Sequence, residues 1–390
     1  MLETLNQIPW KKLTHAYGKA GDTPRHLRSL ASGLKWKRAR ALDALWFSII
    51  HQGSVYEAAA YAVPFLVELA SNPQVADRDE ILSLLQDIAC GSGWHQNHQR
   101  LEIVRRVFSD EKISQGIERE TEWVRQIKRA ISDSAASIIE LLNDGDAKVR
   151  MAAASFLTVV GSAADQSVAR MKGALAKESS SQPRANLLMA ISNLAAPKEA
   201  ALFRAEFARA PDALTRMVAA MGIIASDVEN PSSEALLALF EILRNRDVTL
   251  REQFNELPMS SGYLPELAAY LSLAPENLKM QAAESLVTER EALDEYPGET
   301  FDVLLLQMLL PIDASKLPAE DLSELQRRAI ACVARSTWRD EKTLFGNAHD
   351  VLCAFKLPQR PQEMDVLLGP SWRTWEYKPP KLKRAWWKLC

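Results

Sequence analysis

The feature that most constrains this chain is a helix–turn–helix unit that recurs along it. The clearest copy spans residues 137–161, SIIELLNDGDAKVRMAAASFLTVVG. Its first helix is expected to end near Leu142, where Asn143, Asp144, Gly145 and Asp146 supply turn and helix-capping residues. Val149, Ala152, Ala153, Phe156, Leu157 and Val160 then recur at helical spacing, and Gly161 is placed to stop the helix. Weaker copies put Arg184 34 residues after Arg150, and Arg216 32 residues after that. Segments 278–283 and 325–330 read as later, degenerate units, and 37–45 as an earlier one. One such pair cannot bury its apolar face alone, so neighbours must stack.

The pattern Asp146-x-x-Val149-Arg150-x-x-Ala153 resembles the signature of a HEAT repeat. That resemblance implies an Asp near the turn and an Arg in the second helix that tie neighbouring repeats together. Strand-like alternation is sparse, and 15 Gly are too few for a turn-rich β fold. The expectation is all-α: a right-handed α-solenoid of stacked HEAT-like helix pairs over residues 1–357, with an irregular N-terminal cap at about 1–35. Prolines break the pattern from Pro358, leaving residues 358–390 as an irregular, basic, Trp-rich tail.

Composition narrows the function classes. Of 390 residues, 47% are hydrophobic and 25% charged, typical of soluble, packed protein, so disorder is not the default reading. No apolar run approaches the roughly 20 residues of a membrane span, and the N-terminus lacks the apolar core of a secretory signal. A cytoplasmic location is expected. Cys90, Cys332, Cys353 and Cys390 share no CxxC spacing and read as reduced thiols. The net charge of −3 is uneven: residues 1–50 carry +6 and residues 371–390 carry +5, so the residues between carry −14. An acidic middle suits a cationic protein partner and disfavours nucleic-acid binding there.

The most distinctive segment is ALWFSIIHQGSVYEAAAYAVPFLVEL, residues 44–69, followed by DEILSLLQDIACG, residues 79–91. His51, Gln52, Gly53, Val55 and Tyr56, then Ala58, Ala62, Pro64, Phe65 and Leu66, resemble an element of a group of bacterial HEAT-repeat proteins. The close match covers about fifty residues. Some HEAT-like proteins of this kind are associated with bacterial toxin–immunity systems, so the resemblance implies a solenoid that binds and neutralises a toxin. From the residues alone, Trp46–Ile50 ends one helix and Gly53 permits a left-handed turn. A second helix follows over 56–69, with Pro64 as a kink site. His51, Gln52 and Tyr56 cluster at this corner, either satisfying loose backbone groups or forming a contact patch.

Trp94, His95 and His98 lie in a segment that reads as a polar, partner-facing loop between repeats. His95 and His98 have HxxH spacing, yet no HExxH or second ligand pair accompanies them, so no metal is assigned. No nucleophile motif appears, and Gly91/Gly93 lack the context of a phosphate loop; no catalytic residue and no cofactor is assigned. A second reading is nucleic-acid binding or repair. HEAT-like alkylpurine DNA glycosylases combine a catalytic Asp with Trp-lined grooves, and this chain has ten Trp, including Trp36, Trp46, Trp94 and Trp123. Most Trp at helical spacing is expected in the core. In the tail, Trp372, Trp375, Trp386 and Trp387 interleave with Arg373, Lys378, Lys381, Lys383, Arg384 and Lys388. They either bind an anionic partner or pack the tail onto the last repeat. The leading expectation is a non-enzymatic protein-binding scaffold or inhibitor, contacting its partner through His51, Gln52, Tyr56, Trp94, His95 and His98.

Overall fold

The structure, a computed structural model, describes residues 1–160, 164–293, 296–339, 344–370 and Trp372. Gly161, Cys390 and the tail residues from Arg373 onward lie outside the described residues. The chain forms two compact units, Met1–Ala195 and the residues from Ala196 onward.

The first unit opens with a 3₁₀ turn at Leu5–Gln7 and a two-residue hairpin, β1 (Thr14–His15) with β2 (Gly18–Lys19). Helices α1 (Thr23–Leu30) and α2 (Lys35–Ser48) follow. A second hairpin, β3 (Ile50–His51) with β4 (Ser54–Val55), leads into α3 (Glu57–Ala70) and α4 (Arg78–Cys90). Two short helices, α5 (Trp94–His98) and α6 (Glu102–Val107), precede the 31-residue α7 (Asp110–Glu140). The unit closes with α8 (Ala147–Leu157), α9 (Ala164–Leu175) and α10 (Ser181–Ala195). Its helices stack in two rows: α1, α3 and α7 in one, and α2, α4, α8 and α10 in the other.

The second unit contains α11 (Ala200–Arg209), α12 (Ala213–Ser226), α13 (Ser233–Asn245), α14 (Val248–Asn255) and α15 (Tyr263–Leu271). After these come α16 (Glu276–Ala292), α17 (Glu299–Leu309), α18 (Glu324–Arg335), α19 (Asn347–Ala354) and α20 (Pro361–Leu368), with hairpin β5 (Trp338–Arg339) and β6 (Leu344–Phe345) between α18 and α19. Here α13, α15, α17 and α19 pack in sequence, while α12 meets α14 and α16 meets α18. The fold class is therefore all-α, with solenoid-like stacking of helix pairs in each unit, as the repeat pattern implied. Among the described residues no helix is long and apolar enough to cross a membrane. The expectation that Trp residues sit in the core holds for Trp10 and Trp372 but fails at Trp36, which is 61% exposed. Trp372 is buried and donates from Nε1 to Asp365 at 2.9 Å.

The recurring Arg has a shared structural job. Arg38, Arg150, Arg184, Arg216, Arg251 and Arg327 are each the fourth residue of a helix, in α2, α8, α10, α12, α14 and α18. Five of them reach back to a carbonyl ahead of their own helix. Arg38 donates to Ser32 O at 2.9 Å, Arg150 to Asp144 O at 2.9 Å, and Arg184 to Glu178 O at 2.9 Å. Arg216 donates to Phe207 O and Arg327 to Leu322 O, both at 3.3 Å. Carbonyls at a helix C-terminus and in the turn after it have no intrahelical partner, so these donors satisfy them.

The same side chains tie one pair to the next. Arg38 Nε donates to Asp77 at 2.8 Å, and Arg150 Nε to Glu178 at 2.7 Å. Arg78, first residue of α4, grips Asp144 with two bonds of 2.7 and 2.8 Å. The HEAT resemblance pointed to Asp146 as the acid near the turn. Asp146 instead caps α8 by accepting from Lys148 N at 2.9 Å, and the inter-pair acid is Asp144. The reason is reach: a side chain bonded to its own helix N-terminus cannot also face the preceding repeat.

The hydrogen bonds from Arg78 hold the Asp144 carboxyl below its usual range. An acid with a depressed folded-state pKa contributes stability that is present above its ordinary value and is lost as pH falls through the folded-state value. Asp144→Asn is expected to cost about 1.5–3 kcal/mol at neutral pH, the range for hydrogen bonds to charged groups. Denaturant melts should show the wild-type advantage shrinking below about pH 4; a constant advantage down to the acid limit would refute the assignment. The second unit holds a pair of opposite sign. Arg290 Nε donates to Asp302 at 3.2 Å, with both side chains buried, and its guanidinium also meets Ser336. Burial outweighs Arg290 and pushes Asp302 up to about 6. Its contribution is then fully present below the ordinary carboxylate value and lost as pH rises through about 6. Asp302→Asn should flatten that part of the stability–pH curve, and an unchanged slope in the variant counts against it.

Candidate functional site

The two sequence segments singled out as contact candidates meet in the first unit. The β3–β4 turn places Gln52 at φ +49° and Gly53 at φ +72°. Positive φ at both central residues is the geometry of a type I′ hairpin turn, which glycine accommodates without strain. The sequence reading placed Gly53 at the end of a helix. The helix in fact ends at Ser48, and the left-handed turn closes a strand pair instead. Two-residue strands are too short for an alternation signal.

The chain after α4 then joins this hairpin. Val55 N donates to Ser92 O at 2.9 Å, and Ser92 N donates to Gly53 O at 3.1 Å, so Ser92 adds a parallel bridge beside Ser54. Asn97 locks the junction from α5, donating to Gly53 O at 3.2 Å and Ser54 Oγ at 3.0 Å. The segment expected as a polar loop is thus one helical turn, pinned to the hairpin. Its Trp94 is half-buried because the indole has rings to pack on. It stacks on His98 with centroids 4.9 Å apart and meets His95 and Phe108 edge-on at 5.1 and 6.2 Å.

Beneath this turn lies a residue the sequence reading missed. Glu120 of α7 is 5% exposed and holds His95 twice, accepting from its backbone N at 2.9 Å and facing Nδ1 at 2.8 Å. A buried carboxylate facing Nδ1 places a proton there and turns the Nε2 edge of the ring away from Glu120. His98 is held alike, with Nδ1 2.8 Å from Trp94 O. Neither Nε2 has a hydrogen-bond partner among the described residues. Burial, with the charges of Glu120 and Tyr17 adding to it, pushes the Tyr56 phenol above its ordinary range, and Tyr56 directly follows β4 of the hairpin. His51 packs between Tyr17 and Phe47, at 5.8 and 6.1 Å. All six candidates, His51, Gln52, Tyr56, Trp94, His95 and His98, therefore belong to one corner.

Three glycines permit the corner's close contacts. A Cβ at Gly91 would sit 2.3 Å from the Val55 side chain, and one at Gly93 2.5 Å from Glu120. At Gly116, one turn before Glu120 on α7, a Cβ would sit 2.6 Å from the His95 ring. A glycine inside a long helix costs about 1 kcal/mol relative to alanine, so Gly116 was the available signal that something packs there. The arrangement presents the Nε2 edges of two oriented imidazoles and offers ring surface. Among the described residues no group of three or more His, Cys, Asp or Glu side chains is placed to hold a metal.

These features define the class as an all-α protein of stacked helix pairs carrying a built polar–aromatic corner. No protein-family model matches the chain, and no curated protein matches it. Among solved structures, the chain is similar to one from the complex of CpcE and CpcF of phycocyanin lyase from Nostoc sp. PCC7120. That similarity has 14% identity and a TM-score of 0.38, covering 73% of this chain and 92% of that one. An engineered protein is similar at 16% identity and a TM-score of 0.25, covering 90% and 92%. Both scores are low, and the all-α assignment rests on this chain's own helix stacking.

Gly116→Ala tests the corner's packing. Propensity alone would stabilise α7 by about 1 kcal/mol, whereas the His95 contact predicts a lower melting temperature and altered near-UV dichroism from Trp94. A melting temperature that rises would show that the ring yields freely.

Proposed function

We propose that this chain is a non-enzymatic, cytoplasmic protein-binding scaffold that recognises its partner through the corner built by the β3–β4 hairpin and α5. The observation that carries this reading is the pinned corner itself. Its His95 and His98 imidazoles are each held through Nδ1, its hairpin is bonded to α5, and Gln52 is exposed at the turn. Side chains already held in one geometry lose little entropy on binding, which favours recognition of a macromolecular surface. Aromatic anchors with a polar surround are also the composition of binding hot spots.

The finer version is neutralisation of a cationic, nuclease-type toxin, as the resemblance of residues 44–69 suggests. Its electrostatic support lies in the second unit. Residues 196–370 hold 17 Lys/Arg against 28 Asp/Glu, a balance of −11, while residues 1–195 hold 24 against 21, a balance of +3. A cationic partner would therefore add contacts to the second unit, with charge speeding the encounter.

The test is affinity purification of the tagged chain from its own cells, followed by binding measurements on any stoichiometric partner. Gln52→Gly with His98→Ala should weaken that binding by tenfold or more, about 1.4 kcal/mol. Full affinity in this variant would eliminate the corner as the contact. For the toxin version, affinity must fall as salt rises; salt-insensitive binding argues against a charge-matched partner.

A further inference from the structure

We propose that the row of exposed rings and cations on α2 and the β1–β2 hairpin is a binding surface for single-stranded nucleic acid, a role beyond the protein-binding reading. At about 100° per residue, Trp36, Arg40, Asp43 and Phe47 fall within an arc of about 60° on α2. Trp36 is 61% exposed and Phe47 40%. They lie eleven residues apart, about 16 Å along the helix axis. His51 continues the row from Phe47 to Tyr17, which is 68% exposed. Large rings left exposed along one edge of α2 and on the hairpin beside it mark an interaction surface.

The cations sort the partner's class. Lys35, Lys37 and Arg40 are exposed, and Lys37 lies 5.5 Å from the Trp36 ring centre. Arg25 of α1 joins them. His26 is pulled below its usual range, first by burial and then by Arg25 and Arg40, against the opposing Asp22. Among the described residues Lys35, Lys37, Arg25 and Arg40 form no ion pair. In residues 1–50 the acids are Glu3, Asp22 and Asp43; Asp22 is engaged by His15 and His26, which leaves Asp43 as the acid on the row. Protein interfaces are depleted in lysine. Flat rings interleaved with lysine and arginine are instead the pattern that stacks unpaired bases while neutralising phosphates. Paired bases in a duplex offer such rings no free face, so the surface favours single strands.

The experiment titrates the full chain into a fluorescein-labelled oligothymidylate and follows anisotropy. Binding at low salt is expected, with a log–log salt slope near −3 if Arg25, Lys35, Lys37 and Arg40 each neutralise one phosphate. Trp36→Ala and Phe47→Ala should each weaken binding at least about fivefold, and Lys37→Glu with Arg40→Glu should abolish it. All four side chains are exposed, so the variants should melt with the wild type. Three results overturn the proposal. One is no binding at low salt. Another is wild-type affinity in the row variants, which would assign any binding to the basic tail. The third is a duplex of equal length competing as well as the single strand.

Discussion

The helix stacking leans on an arginine that stands fourth in the second helix of six pairs, in α2, α8, α10, α12, α14 and α18. At every turn between helices, one helix ends with unpaired carbonyls and the next begins with unpaired N–H groups. Capping side chains such as Asp146, Asp212, Asp247 and Ser323 satisfy the N–H groups. The guanidinium serves the other end, with five donors in a planar fork. One edge can close the turn behind it while the other reaches an acid in the following pair, as Arg150 does between Asp144 O and Glu178. A lysine has one charged centre and no fork, and the one second helix with Lys at this position, α16, ties Lys279 only to Glu276 of its own first turn.

That arginine is also what made the fold readable. Arg150, Arg184 and Arg216 recur because the turns do, and the apolar spacing around them reports which face is buried. Two members of the row escaped notice for physical reasons. In α4 the arginine is Arg78, the first helical residue, so the offset differs. In α14 the helix has only eight residues, Val248–Asn255, leaving little periodicity around Arg251. The small hairpins were illegible because two residues cannot show alternation.

The corner was half legible. His51, Gln52, Tyr56, Trp94, His95 and His98 stood out by residue type, but their union rests on Ser92 and Asn97 backbone and amide bonds that no spacing encodes. Glu120 was hidden for a different reason. In a 31-residue helix dense with charge it looks like one more solvated acid, and only its burial against His95 sets it apart. Trp36 misled in the opposite direction, since helical spacing alone cannot say which side of α2 meets the core.

The insertion of α5 and α6 explains why the polar–aromatic corner forms in the first unit. Short turns join α7 to α8 and α9 to α10, but between α4 and α7 the chain makes an excursion over the hairpin. The excursion is affordable only because α7 is long enough to support it: its N-terminal half carries Gly116 and Glu120 under α5, while its C-terminal half carries Ile131, Ile138 and Ile139 into the buried core. One helix therefore serves two layers, the repeat core at one end and the polar corner at the other. A carboxylate buried in the corner must be paired to be tolerated, and His95 supplies both bonds. The pairing that makes Glu120 acceptable inside the protein is the same one that aims the His95 ring, so stability and the presented surface cannot be separated at this position.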